Sequence, residues 1–152
     1  MRSSLILILS QILLAACAEL PPNSELSYYY QAETDKPYAD VIAELEAAIA
    51  EHNFRITGHS RVGKVIRERG ADNYPEYDTI QFCNLTLAKT VLDITPHAIG
   101  YMPCNIVTYQ YAGKTIIKIH ILPEDTGNEQ LDAFARQMNP ELKAIVDFAA
   151  KF

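Results

Sequence analysis

The sequence predicts a single α+β domain of two layers, with helices packed over a largely antiparallel sheet. Three observations predict it. Apolar residues recur at helical spacing in some segments and at alternate positions in others, and these segments follow the order β-α-β-α-β-α-β-β-α. The last two β-rich runs are separated only by Ala112-Gly113, a hairpin signal that makes at least this part of the sheet antiparallel. The 152 residues, 49% apolar and 21% charged, suffice for one hydrophobic core, and the composition excludes a disordered tail or a collagen-like fibre.

Each element follows from its residues. Leu26 to Glu33 is rich in β-favouring side chains and bounded by Asn23-Ser24 and Asp35-Lys36-Pro37, so it is the first strand. From Tyr38 to His52, Val41, Ile42, Leu45, Ala48 and Ile49 share one helical face, while Asp40, Glu44, Glu46 and Glu51 take the other. Phe54 to Gly58 alternates as a strand. Ser60 is placed to cap a short helix from Arg61 to Arg69 that ends at Gly70, with Val62, Val65 and Ile66 expected to pack on the sheet. That helix is basic, with Arg61, Lys64, Arg67 and Arg69 against Glu68. It is either a solvated face or a surface for an anionic partner or lipid headgroups. Tyr77 to Cys83 is the third strand, and Asn84 caps a helix from Leu85 to Leu92 with Leu85, Ala88, Val91 and Leu92 inward. Asp93 to Pro103, with two prolines and a glycine, reads as a loop. Cys104 to Tyr111 and Lys114 to Ile121 form the hairpin. In its second strand Thr115, Ile117, Ile119 and Ile121 face one way and Ile116, Lys118 and His120 the other. The last helix runs from about Asn128 to Phe152, and Asn139-Pro140 is expected to kink or split it.

The first residues carry an address. Met1-Arg2 precedes an apolar run from Leu5 to Leu14, too short to span a bilayer core of ~30 Å, and then Ala15-Ala16-Cys17. This is the pattern of a signal peptide, residues 1–16. Leu14-Ala15-Ala16-Cys17 resembles the bacterial lipobox, which implies cleavage before Cys17 and acylation of that cysteine. Ordinary secretion with cleavage after Ala18 is the competing reading. Several acyl chains would anchor the domain stably, because each buried CH₂ adds about 0.8 kcal/mol. Ala18, by its resemblance to Gram-negative sorting signals, implies the periplasmic face of the outer membrane. Residues 17–25, with Pro21-Pro22, then form a tether to a domain at 26–152. The expected partner of Cys17 is thus the lipid bilayer.

Without residues 1–16, which contain Arg2 and no acid, the 13 basic side chains become 12 against 19 acidic ones, a net charge of −7 that argues against nucleic-acid binding. No G-x-S-x-G, G-x-x-x-x-G-K-[ST], G-x-G-x-x-G or H-E-x-x-H pattern is present, so no hydrolase, nucleotide or zinc-protease signature directs the chemistry.

The stretch Glu51-His52-Asn53-Phe54-Arg55-Ile56 after the acidic helix, Phe82-Cys83-Asn84 at the end of a strand, and Met102-Pro103-Cys104 before the hairpin resemble the small α/β proteins called domain of unknown function 302. The likeness runs over about 28–151. It implies a fold and no assigned activity.

Chemistry is left to two cysteines once Cys17 is acylated. Cys83 ends one strand and Cys104 begins another, and if the strands are antiparallel neighbours their ends meet. A structural disulfide would close a loop of about 22 residues and contribute about 3 kcal/mol. A soft-metal site for copper or zinc would combine Cys83 and Cys104 with Met102 and His97, although the spacing matches no recognised finger. A redox or reactive thiol would draw on Cys83 just before the helix opening at Leu85, where a thiolate is stabilised. Two inert core cysteines remain the fourth reading. His52, His59 and His120 stand on ordinary strand and helix positions without metal spacing. The expected function is a non-enzymatic, tethered domain that requires no cofactor and binds a small molecule or a protein near Cys83, Met102 and Cys104. The alternative is thiol redox or soft-metal handling by the same pair.

Overall fold

The computed structural model of the chain describes residues 28–151. The signal peptide, Cys17, the tether and the start of the domain at Leu26 lie outside the described residues.

Strands β1 (Tyr29–Thr34), β2 (Arg55–Arg61), β3 (Tyr77–Cys83), β4 (Cys104–Tyr111) and β5 (Lys114–His120) form one antiparallel sheet in the order β1-β5-β4-β3-β2. Helices α1 (Tyr38–Glu51) and α4 (Glu129–Ala150) pack on each other and on one face of it. Short helices α2 (Val62–Glu68) and α3 (Leu85–Ile94) link β2 to β3 and β3 to β4. The fold is therefore the α+β pair of layers that the pattern predicts. Val41, Leu45 and Ile49 of α1, Leu142, Ile145 and Val146 of α4, and Ile80, Phe82, Ile106, Ile117 and Ile119 of the sheet are wholly buried. Each such side chain contributes about 1.5–3 kcal/mol by leaving water, and together they hold the layers in register. The β4–β5 turn has Ala112 at φ 51° and Gly113 at φ 81°, the double left-handed geometry of a two-residue hairpin.

Four local expectations are corrected. Ser60 caps nothing: β2 continues through Ser60, opposite Thr79, to Arg61, opposite Asp78, because ladder pairing satisfies more backbone groups than one cap. In α2 the buried residue is Gly63, while Val62 and Val65 are each 43% exposed. The helix approaches residues 75–77 so closely that only a hydrogen fits: a Cβ at Gly63 would lie 2.3 Å from the Pro75 carbonyl oxygen. Leu85 is 82% exposed, as the first helical residue with no layer beneath it, and α3 runs on to Ile94 before a 3-10 helix, Pro96–Tyr101, occupies most of the expected loop. Pro140 does not split α4. It stands on the exposed side of the helix, while buried Asn139 beside it bonds the β5–α4 connection.

Candidate functional site

The cysteines meet at one end of the sheet, where β3 and β2 join their helices and β4 begins. Cys104 opens β4 opposite Phe82, and Cys83 closes β3 opposite Arg55. The two are thus offset by one residue. Both are free thiols, so the structural disulfide, one of the four readings of the sequence, is not formed.

Both thiols line an apolar cavity of about 50 Å³ between the sheet end, α3 and α4. Phe54, Leu87, Val91, Met102, Leu131, Phe134 and Met138 make up most of its wall. Asn84 sets that wall in place. Its Oδ1 accepts from the Thr86 and Leu87 amides at 3.0 and 3.1 Å, capping α3 as the sequence predicts, and its Nδ2 donates to the Asn53 carbonyl at 2.9 Å. Opposite, Asn139 Oδ1 accepts from the Leu122 amide at 2.8 Å and its Nδ2 donates to the Leu122 carbonyl at 2.9 Å. These bonds pin Leu122 and Pro123, also part of the wall, to α4.

The electrostatics of the cavity favour neutral sulfur. Burial, and then the neighbouring Cys83, push the Cys104 thiol up to about 11. Met102 lines the cavity, but His97 does not: it is exposed on the 3-10 helix with its amide bonded to Thr95. The residues expected to share a soft metal are therefore not brought together as one set.

Past Met102 and Cys104 a groove of about 280 Å³ continues from the same walls, Tyr101 and Leu122 included, and is bordered by Tyr29, Asn105 and His120. The Tyr29 and His120 rings meet edge to face at 5.1 Å. Asn105 Oδ1 is out of contact with solvent and has no hydrogen-bond partner among the described residues. A buried acceptor in that condition costs about 1–3 kcal/mol until a donor reaches it.

The other end of the sheet is polar, and the sequence reading missed it. His59 Nε2 lies 2.7 Å from Asp78 Oδ2, with side-chain exposures of 14% and 5%, and His59 Nδ1 lies 3.5 Å from Glu46 Oε1. The Tyr38 hydroxyl hydrogen-bonds Thr108 Oγ1 at 2.7 Å, and burial holds its pKa well above the usual phenol range. A bulge explains His59. Ile56 pairs with Phe82, Gly58 with Gln81 and His59 with Ile80, so the one-residue slip between Ile56 and Gly58 turns His59 to the same face as Ile56. Unbroken alternation would have put it on the opposite face. Gly58 inside a β run was the available signal.

Fold and site together define a small two-layer α+β domain whose sheet is covered by helices on one face. Its chain belongs to the family described as domain of unknown function DUF302, whose model matches residues 30–149. The uncharacterized conserved DUF302 protein from Bacillus stearothermophilus, known from a crystal structure, is similar in fold. Its TM-score is 0.71 at 22% identity over 82% of this chain and 99% of that one. Among curated proteins no sequence matches this chain.

Proposed function

We propose that this protein is a lipoprotein of the bacterial cell envelope, anchored through acylated Cys17 at the periplasmic face of the outer membrane, whose domain binds a small amphipathic molecule at the cysteine end of the sheet. The buried, unpartnered Asn105 Oδ1 carries the reading. When the Asn105 side chain turns toward the groove it borders, a ligand hydroxyl or amide donor satisfies this oxygen, and an apolar tail then passes Met102 into the cavity beyond. That cavity, about 50 Å³, is a third of the ~150 Å³ known to admit benzene, so a tail longer than a few atoms enters by moving the unbranched Met102 and Met138. Non-enzymatic binding has more support than thiol redox or copper or zinc handling by Cys83 and Cys104. Cys104, pushed up to about 11 by burial, is protonated at neutral pH and a poor nucleophile, and His97 stands apart from the two thiols.

Titration of the ¹⁵N-labelled protein with 1-hexanol tests this. Saturable shifts are expected at amides 87–91, 101, 102, 104, 105 and 131–138. The cavity-filling Ala88→Leu variant is expected to lose them and Asn105→Leu to weaken them. Shifts that are absent, or unchanged in both variants, would rule the site out.

A further inference from the structure

The face of the sheet turned away from α1 and α4 has no part in the proposed function beyond the groove at its cysteine end, and its side chains alternate with the buried row. An antiparallel sheet with one free face ordinarily presents polar and charged side chains there. Here ladder pairing sets Tyr77 beside Tyr109 and Tyr109 beside Ile116, with Val107 between Thr79 and Lys118 in the next rank. The Tyr77 and Tyr109 rings run parallel, 9° apart with centroids at 6.1 Å, and the Tyr74 ring stands 5.7 Å from Tyr77. The middle of the face is therefore aromatic and aliphatic, and Gln31 and Gln81 stand exposed on either side of it.

Charge and area both bear on what covers it. Of the chain's 19 acids only Glu33 stands at an outward position of the described strands, and Lys114 bridges it at 3.4 Å. Lys118 Nζ lies 5.5 Å over the Tyr109 ring, and Arg55 stands at the corner where β2 begins. Two copies of a chain with net charge −6 repel each other, and this nearly acid-free face is where they meet with least repulsion. Five strands of six to eight residues, about 4.8 Å apart and rising ~3.3 Å per residue, make a face of roughly 24 by 23 Å. Two such faces together bury about 1,100 Å², which clears the ~1,000 Å² of a specific interface. Tyrosine at the centre with few carboxylates is also the composition of such interfaces.

We propose that two copies of the protein pack these faces together as an isologous dimer, a sandwich with Tyr77, Val107, Tyr109 and Ile116 of each copy at its centre. Sheets packed in this way cross at about 30° and stand ~10 Å apart, a gap that side chains of this size fill from both sides. A two-fold axis closes the pair, so association stops at two.

Sedimentation velocity of residues 18–152 tests this, since no acyl chain is then present to drive association. A dimer with micromolar or lower Kd is expected. The Gln31→Lys/Gln81→Lys double variant, changed only at exposed positions, adds cations to a face that already carries Arg55 and Lys118, and is expected to raise Kd about tenfold or more. Gln137→Lys, exposed on α4, is expected to change nothing. Circular dichroism of the double variant at low concentration, where parent and variant are both monomers, is expected to match the parent, which separates a lost interface from a lost fold. The proposal is overturned by a chain that stays monomeric at submillimolar concentration, which leaves the face to another molecule, by undiminished dimerisation of the double variant, or by association that runs on past the dimer.

Discussion

Replacing Gly63 with alanine sets helix propensity against packing, and the structure decides which wins. In an exposed helix interior the change would stabilise by about 1 kcal/mol. Here the new Cβ would lie 2.3 Å from the Pro75 carbonyl oxygen, 2.8 Å from the Tyr77 amide nitrogen and 3.0 Å from Glu76 Cα. All three are backbone atoms, so no rotamer relieves the contact. Moving α2 outward by roughly 1 Å to ordinary van der Waals distance weakens the bonds from Arg67 to Tyr74 and Glu76. Overpacking costs about 1–3 kcal/mol and the weakened bonds about 1 kcal/mol more, which leaves a net loss of about 2 kcal/mol. For a domain of this size that lowers Tm by about 8 °C. Thermal unfolding followed by circular dichroism measures it, with Gly100→Ala as the control, since a Cβ there meets nothing within 4 Å. A Gly63→Ala protein as stable as the parent would refute the close approach of α2 to residues 75–77.

Further outcomes follow from other contacts. Asn139→Ala leaves the Leu122 amide and carbonyl without their partners, and urea unfolding is expected to show a loss of about 2–3 kcal/mol. For Cys104 the folded-state pKa, about 11, is raised by burial above the 9.0 of an ordinary thiol. The neutral thiol's contribution to stability is therefore complete below pH 9 and lost as pH rises through 11, and the iodoacetamide rate at Cys104 is expected to reach its midpoint near 11 in the folded chain and near 9 in urea. A midpoint near 9 in both would show an open thiol. Palmitate labelling in cells is expected for the parent and absent from Cys17→Ser, while a labelled Cys17→Ser protein would place the anchor elsewhere.

What could be read from the residues was whatever depends on period and local capping. The α1 stripe of Val41, Leu45 and Ile49, the Asn84 cap and the Ala112-Gly113 turn each act over a few residues, so their patterns survive without tertiary information. The site was legible only in part. That Cys83 and Cys104 converge follows from antiparallel strand ends, but their one-residue offset is a matter of register, which the residues around them do not encode. The His59–Asp78 pair depends on a bulge and on β2 running three residues beyond Gly58, both consequences of pairing with β3. Val62 and Val65 misled for a related reason: α2 docks through the one residue without a side chain, which a count of apolar positions overlooks. Asn139 was masked by Pro140 beside it, whose helix-breaking tendency was the stronger sequence signal.

The central claim is that the cysteine end of the sheet takes an apolar tail behind a donor held by Asn105. Intermolecular NOEs between 1-hexanol and the protein's methyl groups test it most directly. The account predicts cross-peaks from the hexanol chain to the Met102 and Met138 methyls, with Cys83 and Cys104 remaining free thiols. Cross-peaks confined to exposed methyls such as those of Leu85 and Val62, or none at all, would contradict it.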